Sequence, residues 1–330
     1  MISSSNVSYY TRAPCEKKIT QVYNKQENKK EKIMSVKTVQ AIINGQTYTL
    51  TLNNDTGKYE ATVTAPAKSS YNQSGHYYPV TVRATDDAGN TTTKDAADET
   101  LGKSLQLVVK EKVAPVSVIT YPTSGAFITN ATPAIAFKVT DEDSGINEST
   151  IKLTVDGSAV ASEEINKKAV SGGYECTYTP KSALGNGAHT IKVEVSDHDG
   201  NAAAAQTVSF TVDTVPPTLS VAAPVDGLVT NSASLVVSGK TDDTTSKPVT
   251  VTVNGEKVAV NENGTWSKTI TLSPGTNTIT VVATDKAGKS TTVTRKVTLD
   301  TGAPVIRSVT MTPNPVDSGK TFIISVEVTD

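Results

Sequence analysis

Apolar and polar residues alternate along this chain with a period of two, in short runs broken by glycine, asparagine and aspartate. Ile191, Val193 and Val195 share one side of such a run, and Ile279, Val281 and Ala283 one side of another. Successive strand side chains point to opposite faces, so each run predicts a half-buried β-strand. Thr, Val, Ala, Ser and Asn dominate, while Leu, Met and Phe are scarce, and this composition favours strands and turns.

The runs recur as copies. Leu184–Asn201 and Leu272–Lys289 align without a gap, with Gly187/Gly275, Thr190-Ile191/Thr278-Ile279, Val193/Val281, Asp197/Asp285 and Gly200/Gly288 in the same columns. Val80–Asn90 is a partial third copy. Each meets a glycine-containing hairpin turn and then a closing strand, at Leu105–Val109, Thr207–Val212 and Thr292–Leu299. Upstream in each copy, Asn44-Gly45, Asp156-Gly157 and Asn254-Gly255 stand between alternating segments. Such pairs predict type I′ turns, whose two central residues both need positive φ. Next comes a glycine with an aromatic two residues later: Gly57/Tyr59, Gly172/Tyr174 and Gly264/Trp266. Tyr59, Tyr174 and Trp266 are expected to be the large core residue of each copy.

Proline marks the joints at Ala114-Pro115, Pro216-Pro217 and Ala303-Pro304, where the missing N–H ends a strand ladder. The expected domains are 36–112, 113–214 and 215–302. A fourth opens at 303–330, and its first strands cannot close a sandwich by themselves, so the sequence is expected to continue. About seven short strands per unit, with turn signals every 8–12 residues, predict an all-β chain of tandem immunoglobulin-like or fibronectin-III-like β-sandwiches.

The runs Val139–Ile146, His189–Asn201 and Thr211–Thr218 resemble bacterial immunoglobulin-like (Ig-like) repeat proteins. That resemblance implies a non-catalytic structural or adhesive array. Such arrays serve as stalks of surface adhesins, modules of secreted enzymes and ornaments on phage tails. The leading expectation is a phage tail or virion component that spaces or weakly binds bacterial surface polymers. The alternatives are a Gram-positive adhesin stalk and the accessory domains of a larger secreted enzyme. The expected partners are a bacterial surface carbohydrate or protein, or other virion or surface proteins.

The net charge of −2 gives no basic footprint for nucleic acid, and no apolar run approaches membrane-spanning length. Cys15 and Cys176 form no recognisable framework, and Cys176, alternating with Tyr174 and Tyr178, predicts a buried inert thiol. His76, His189 and His198 belong to no recognisable catalytic motif, and His189 stands where the next copy has Asn277, in a turn. Residues 1–35 read as a disordered leader, or as upstream sequence with Met34 the genuine start. They carry no apolar core of a signal peptide, and the expected location is a virion, the cell surface or the extracellular space.

The acidic loops carry the one chemical expectation. In an Ig-like sandwich the loop after the second strand and the last hairpin loop share the pole that faces the preceding domain. That pole gathers Asp141, Asp143, Asp197 and Asp199 in the second domain, with Asp242, Asp243 and Asp285 in the corresponding loops of the third. Clustered carboxylates suit Ca²⁺, which takes 6–8 oxygen ligands. The competing reading is that aspartate simply favours turns.

Overall fold

The computed structural model describes residues 35–330, so the leader and the Met34 start lie outside the described residues. The described chain is almost entirely strand and turn. All three predicted hairpin turns have positive φ at both positions: 48° and 76° at Asn44-Gly45, 50° and 79° at Asp156-Gly157, and 49° and 83° at Asn254-Gly255. Two compact units are distinguished by their internal packing. Among the described residues one comprises 35–121, 135–178 and 191–207, the other 122–134, 179–190 and 208–330, so the middle sandwich contributes to both.

The first domain joins its strands in one antiparallel sheet. The central strand Val36–Ile43 is flanked by Gln46–Asn53 and Tyr78–Asp86; Lys58–Glu60 and Thr91–Lys94 lie outside them, and Gln106–Leu107 pairs with the start of Tyr78–Asp86. Its core is small, with Ile43, Val63, Tyr78, Val80, Leu105 and Leu107 in one cluster and Val39, Ala41 and Leu50 in another. Val63 and Leu105 come from outside the strands, so loop and 3₁₀ segments supply apolar residues that a second sheet supplies in the later domains.

The second domain has two sheets. One orders Ser158–Ala159, Lys152–Val155, Gly187–Glu194, Gln206–Val212 and Phe127–Ile128; the other orders Asn166–Val170, Gly173–Tyr178, Ile135–Thr140 and Val116–Tyr121. The third repeats the plan, with Thr218–Ala223, Ser234–Asp242 and Thr265–Thr271 in one sheet. Its other sheet orders Leu228–Thr230, Ser290–Leu299, Gly275–Thr284, Thr250–Val253 and Glu256–Val258. In both sandwiches a short strand after the joint pairs parallel to the closing strand, Thr211 with Phe127 and Val297 with Leu228. Val305–Thr312 and Ile323–Thr329 form a two-stranded antiparallel hairpin with both faces exposed.

Of the three expected core aromatics, Trp266 is buried at 2% exposure, packed with Val237, Val251, Ile279, Val281 and Val297. Tyr59 and Tyr174 depart from that expectation, because both are half-buried. Tyr59 sits on the three-residue edge strand Lys58–Glu60, where one neighbouring strand can cover only one side. Tyr174 pairs across the sheet with Val139 but keeps its hydroxyl near Glu148; burial first, then that carboxylate, raises its pKa. Phe137 and Phe210 are the buried aromatics of the second domain, each 2% exposed.

The glycine of the glycine–aromatic pair has a tertiary reason. Gly264, at φ 83°, accepts from Thr241 N–H at 2.9 Å, and an added Cβ would stand 2.1 Å from the Thr241 carbonyl oxygen. Gly172 holds the same place beside Asp141, whose N–H donates to the Gly172 carbonyl at 2.8 Å. Gly57 shares the positive φ, yet nothing lies within 4 Å of its would-be Cβ.

Two expectations follow. Trp266→Ala should cost about 3–5 kcal/mol, the usual range for a buried aromatic. Trp266→Phe should cost much less, because the buried indole N–H has no hydrogen-bond partner to lose. Urea midpoints and amide exchange across 218–299 measure both, and equal losses for the two variants would count against the packing argument. Gly264→Ala should destabilise by more than the roughly 1 kcal/mol of backbone strain expected for Gly57→Ala, since only the former also meets a carbonyl. Matched melts of the two variants decide this.

Candidate functional site

The acidic residues at the joints arise from strand ends. Asp141 follows Ile135–Thr140, Asp243 follows Ser234–Asp242, and Asp285 follows Gly275–Thr284. Where a ladder stops, backbone N–H groups lose their partners, and a short carboxylate is well placed to accept them. Asp141 Oδ1 accepts from the N–H groups of Asp143 at 3.0 Å and Gly145 at 2.7 Å. Asp197 accepts Asn201 N–H on one oxygen at 2.8 Å and Asn201 Nδ2 on the other at 2.7 Å.

Of the four aspartates expected to converge at the first joint, the structure brings Asp141 and Asp197 together and places Asp143 and Asp199 differently. Asp143 accepts the Ser69 N–H on both oxygens, at 3.2 and 3.1 Å, and its carbonyl accepts Asn72 Nδ2. Asp199 Oδ2 accepts the Glu111 N–H at 2.9 Å, and the Asp199 carbonyl accepts from Lys110 at 3.3 Å. Both tie the second domain to the first and to the linker. The third carboxylate of the group is Glu111: one oxygen each from Glu111, Asp141 and Asp197 lies within 4.8 Å of the other two. Glu111 Oε1 accepts Ser144 N–H at 2.7 Å. Burial pushes the Glu111 carboxyl pKa up against that hydrogen bond, and the nearby charges of Asp141 and Asp143 push it further.

An aromatic stack closes the same joint. Tyr71 lies between two histidine rings, 3.8 Å from His198 at an interplanar angle of 9° and 4.4 Å from His76 at 23°. A cleft of about 390 Å³ beside it is lined by Tyr71, Asn72, Asp143, Ser144, Tyr174 and His198 among others. His189 is elsewhere, donating from Nε2 to the carbonyl of Gly185 at 2.7 Å, as Asn277 Nδ2 donates to Ser273 in the next copy. Cys176 is 1% exposed, and burial pushes its thiol pKa up to about 11.

The second joint repeats the arrangement with Asp213, Asp243 and Asp285, all buried, again with one oxygen each within 4.8 Å of the others. Sequence reading had singled out Asp243 and Asp285 and missed Asp213, just as it missed Glu111. A signal was present, because Glu111, Asp213 and Asp300 each stand four residues before a joint proline, Pro115, Pro217 and Pro304.

Residues 123–214 match the family "Bacterial Ig-like domain". The chain contains a bacterial Ig-like domain. Residues 217–301 of this Ig-like protein match "Glucodextranase, domain B". It is 35% identical over 123 residues to Bacillopeptidase F of Bacillus subtilis (strain 168), covering 37% of this chain and 8% of that protein. It is also 26% identical over 275 residues to a PII-type proteinase of Lacticaseibacillus paracasei, covering 75% of this chain and 14% of that protein. The chain thus spans under a sixth of either relative. Among solved structures, the fibronectin(III)-like modules of Clostridium thermocellum CbhA align at TM-score 0.37 and 17% identity, over 56% of this chain and 94% of theirs.

The buried charge of Glu111 has a measurable sign. Its folded pKa lies above the ordinary value, so deprotonation costs stability; the cost is complete above the folded pKa and vanishes as pH falls below the unfolded one. In metal-free buffer Glu111→Gln should therefore melt higher than the parent at neutral pH, and the gap should close on acidification through the carboxylate range. A gap that is constant with pH would mean the charge is solvated.

Proposed function

We propose that this chain is a non-catalytic spacer, the accessory Ig-like segment of a larger extracellular protein, and that it sets a fixed separation between parts. The carrying observation is the first joint, where Ser69, Tyr71, Asn72, Lys110 and Glu111 are bonded or stacked to Asp143, Ser144, His198 and Asp199. Loops that could have recognised a ligand are occupied in gripping the neighbouring domain. Inter-domain motion is the default unless the interface is well made, and a spacer needs that motion suppressed. Likeness to two proteinases favours the enzyme-accessory form of the array over the adhesin stalk and over a phage tail or virion part.

The test is a distance measurement. Fluorophores at Lys37 and Lys168, on either side of the first joint, should give a single narrow energy-transfer distribution, insensitive to added bacterial cell wall. A broad distribution would make the chain a flexible tether, and saturable binding to cell-wall polymer would make it an adhesin; either overturns the spacer reading.

A further inference from the structure

In the last hairpin turn of each domain an aspartate accepts the backbone N–H of the residue four further on, and the side chain of that residue differs. In the first, Asp86 Oδ1 accepts the Asn90 N–H at 2.8 Å and Oδ2 accepts Asn90 Nδ2 at 2.8 Å; these bonds, the side-chain one foremost, hold its pKa below the usual carboxylate range. In the second, Asp197 and Asn201 repeat both bonds. In the third, Asp285 Oδ1 accepts the Lys289 N–H at 2.9 Å, but lysine has no amide to return to the other oxygen. Asp285 is 6% exposed, and its Oδ2 is buried with no hydrogen-bond partner.

A bare carboxylate oxygen at such depth is costly. Its neighbours deepen the cost, since Asp213 is 0% and Asp243 is 6% exposed, and one oxygen of each joins one of Asp285 within 4.8 Å. None of their donors reaches Asp285 Oδ2: Asp243 Oδ1 takes the N–H groups of Thr245 and Ser246, both at 2.7 Å, while Asp213 Oδ1 takes Val215 N–H at 3.0 Å and Oδ2 the Ser246 hydroxyl. Lys286 lays its ammonium 4.5 Å from the centre of the Phe127 ring.

We infer that Asp213, Asp243 and Asp285 form a hard divalent cation site of the Ca²⁺ class, with Asp285 Oδ2 as the ligand atom freed by Lys289. Three carboxylate oxygens all within 4.8 Å of one another can reach a single Ca²⁺ at about 2.3–2.6 Å each, and an all-oxygen set suits such a hard cation. The set holds neither sulfur nor imidazole, which disfavours Zn²⁺. At the first joint Asn201 fills the corresponding oxygen of Asp197, so the second joint is the stronger site.

Calorimetric titration of the full chain with CaCl₂, and melts followed by the single Trp266, test this. The parent should take up Ca²⁺ and melt about 5–10 °C higher in millimolar Ca²⁺ than in EDTA, because a ligand that binds only the folded form stabilises it. Asp285→Asn should abolish the rise. Lys289→Asn, which restores the amide found in the other two turns, should weaken Ca²⁺ binding at least about tenfold and raise the melt in EDTA. That variant adds a hydrogen bond, so it keeps the test decisive if Asp285→Asn fails to fold. Identical parent melts in Ca²⁺ and EDTA, or a Ca²⁺ response unchanged in Lys289→Asn, would overturn the site. The energy-transfer distribution reads spacing independently, so spacer and cation site can fail separately.

Discussion

The structure depends on how strand ends are closed. A β-ladder leaves unpaired N–H groups where it stops, and at the poles of these domains aspartate side chains accept them. Asp86, Asp141, Asp197, Asp243 and Asp285 all do so. The solution places negative charge at the ends of the domains, where the chain must pass into its neighbour. At each inner joint it also brings in the acidic residue that precedes the linker proline, Glu111 or Asp213. Good local capping therefore creates like-charge crowding at the tertiary level, and the joints differ in how they relieve it.

At the first joint the relief comes from protein donors. Ser144 reaches Glu111, Asn201 satisfies both oxygens of Asp197, and Asp143 and Asp199 are drawn off to backbone N–H groups of the first domain and the linker. The Tyr71–His198 stack adds a flat, well-packed contact beside them. At the second joint the donors are distributed differently, and Asp285 Oδ2 is left bare. One side-chain difference, asparagine against lysine at the fifth position of the turn, separates a joint closed by its own amides from one that invites a cation. The two joints of one chain can thus differ in their response to the medium while sharing a fold.

The repeat that was legible in the chain is explained by these closures. Glycine two residues before the aromatic is required because Gly172 and Gly264 carry the backbone against Asp141 and Thr241, at or just before the strand end that bears the capping carboxylate. The aromatic itself is less uniform. Trp266 fills the third core, whereas Tyr59 lies on a short edge strand and Tyr174 beside a cleft, so identical spacing leads to different burial. The first domain departs furthest. Its strands form one connected sheet, and loop residues such as Val63 and Leu105 complete the apolar clusters.

By itself the sequence determined the all-β class, the three type I′ turns, the copies and the acidic loops. Each is set by residues adjacent in the chain: a period of two fixes a strand face, and Asn-Gly or Asp-Gly fixes two positive φ values. Only the tertiary structure decided which carboxylates meet. Asp141 and Asp143 are two residues apart, yet one joins the cluster with Glu111 and Asp197 while the other turns to Ser69, because alternate residues at a strand end are claimed by different neighbours. The bare oxygen of Asp285 likewise depended on the fold, since whether a side chain has a partner is a property of everything packed around it, and local pattern carries no record of that.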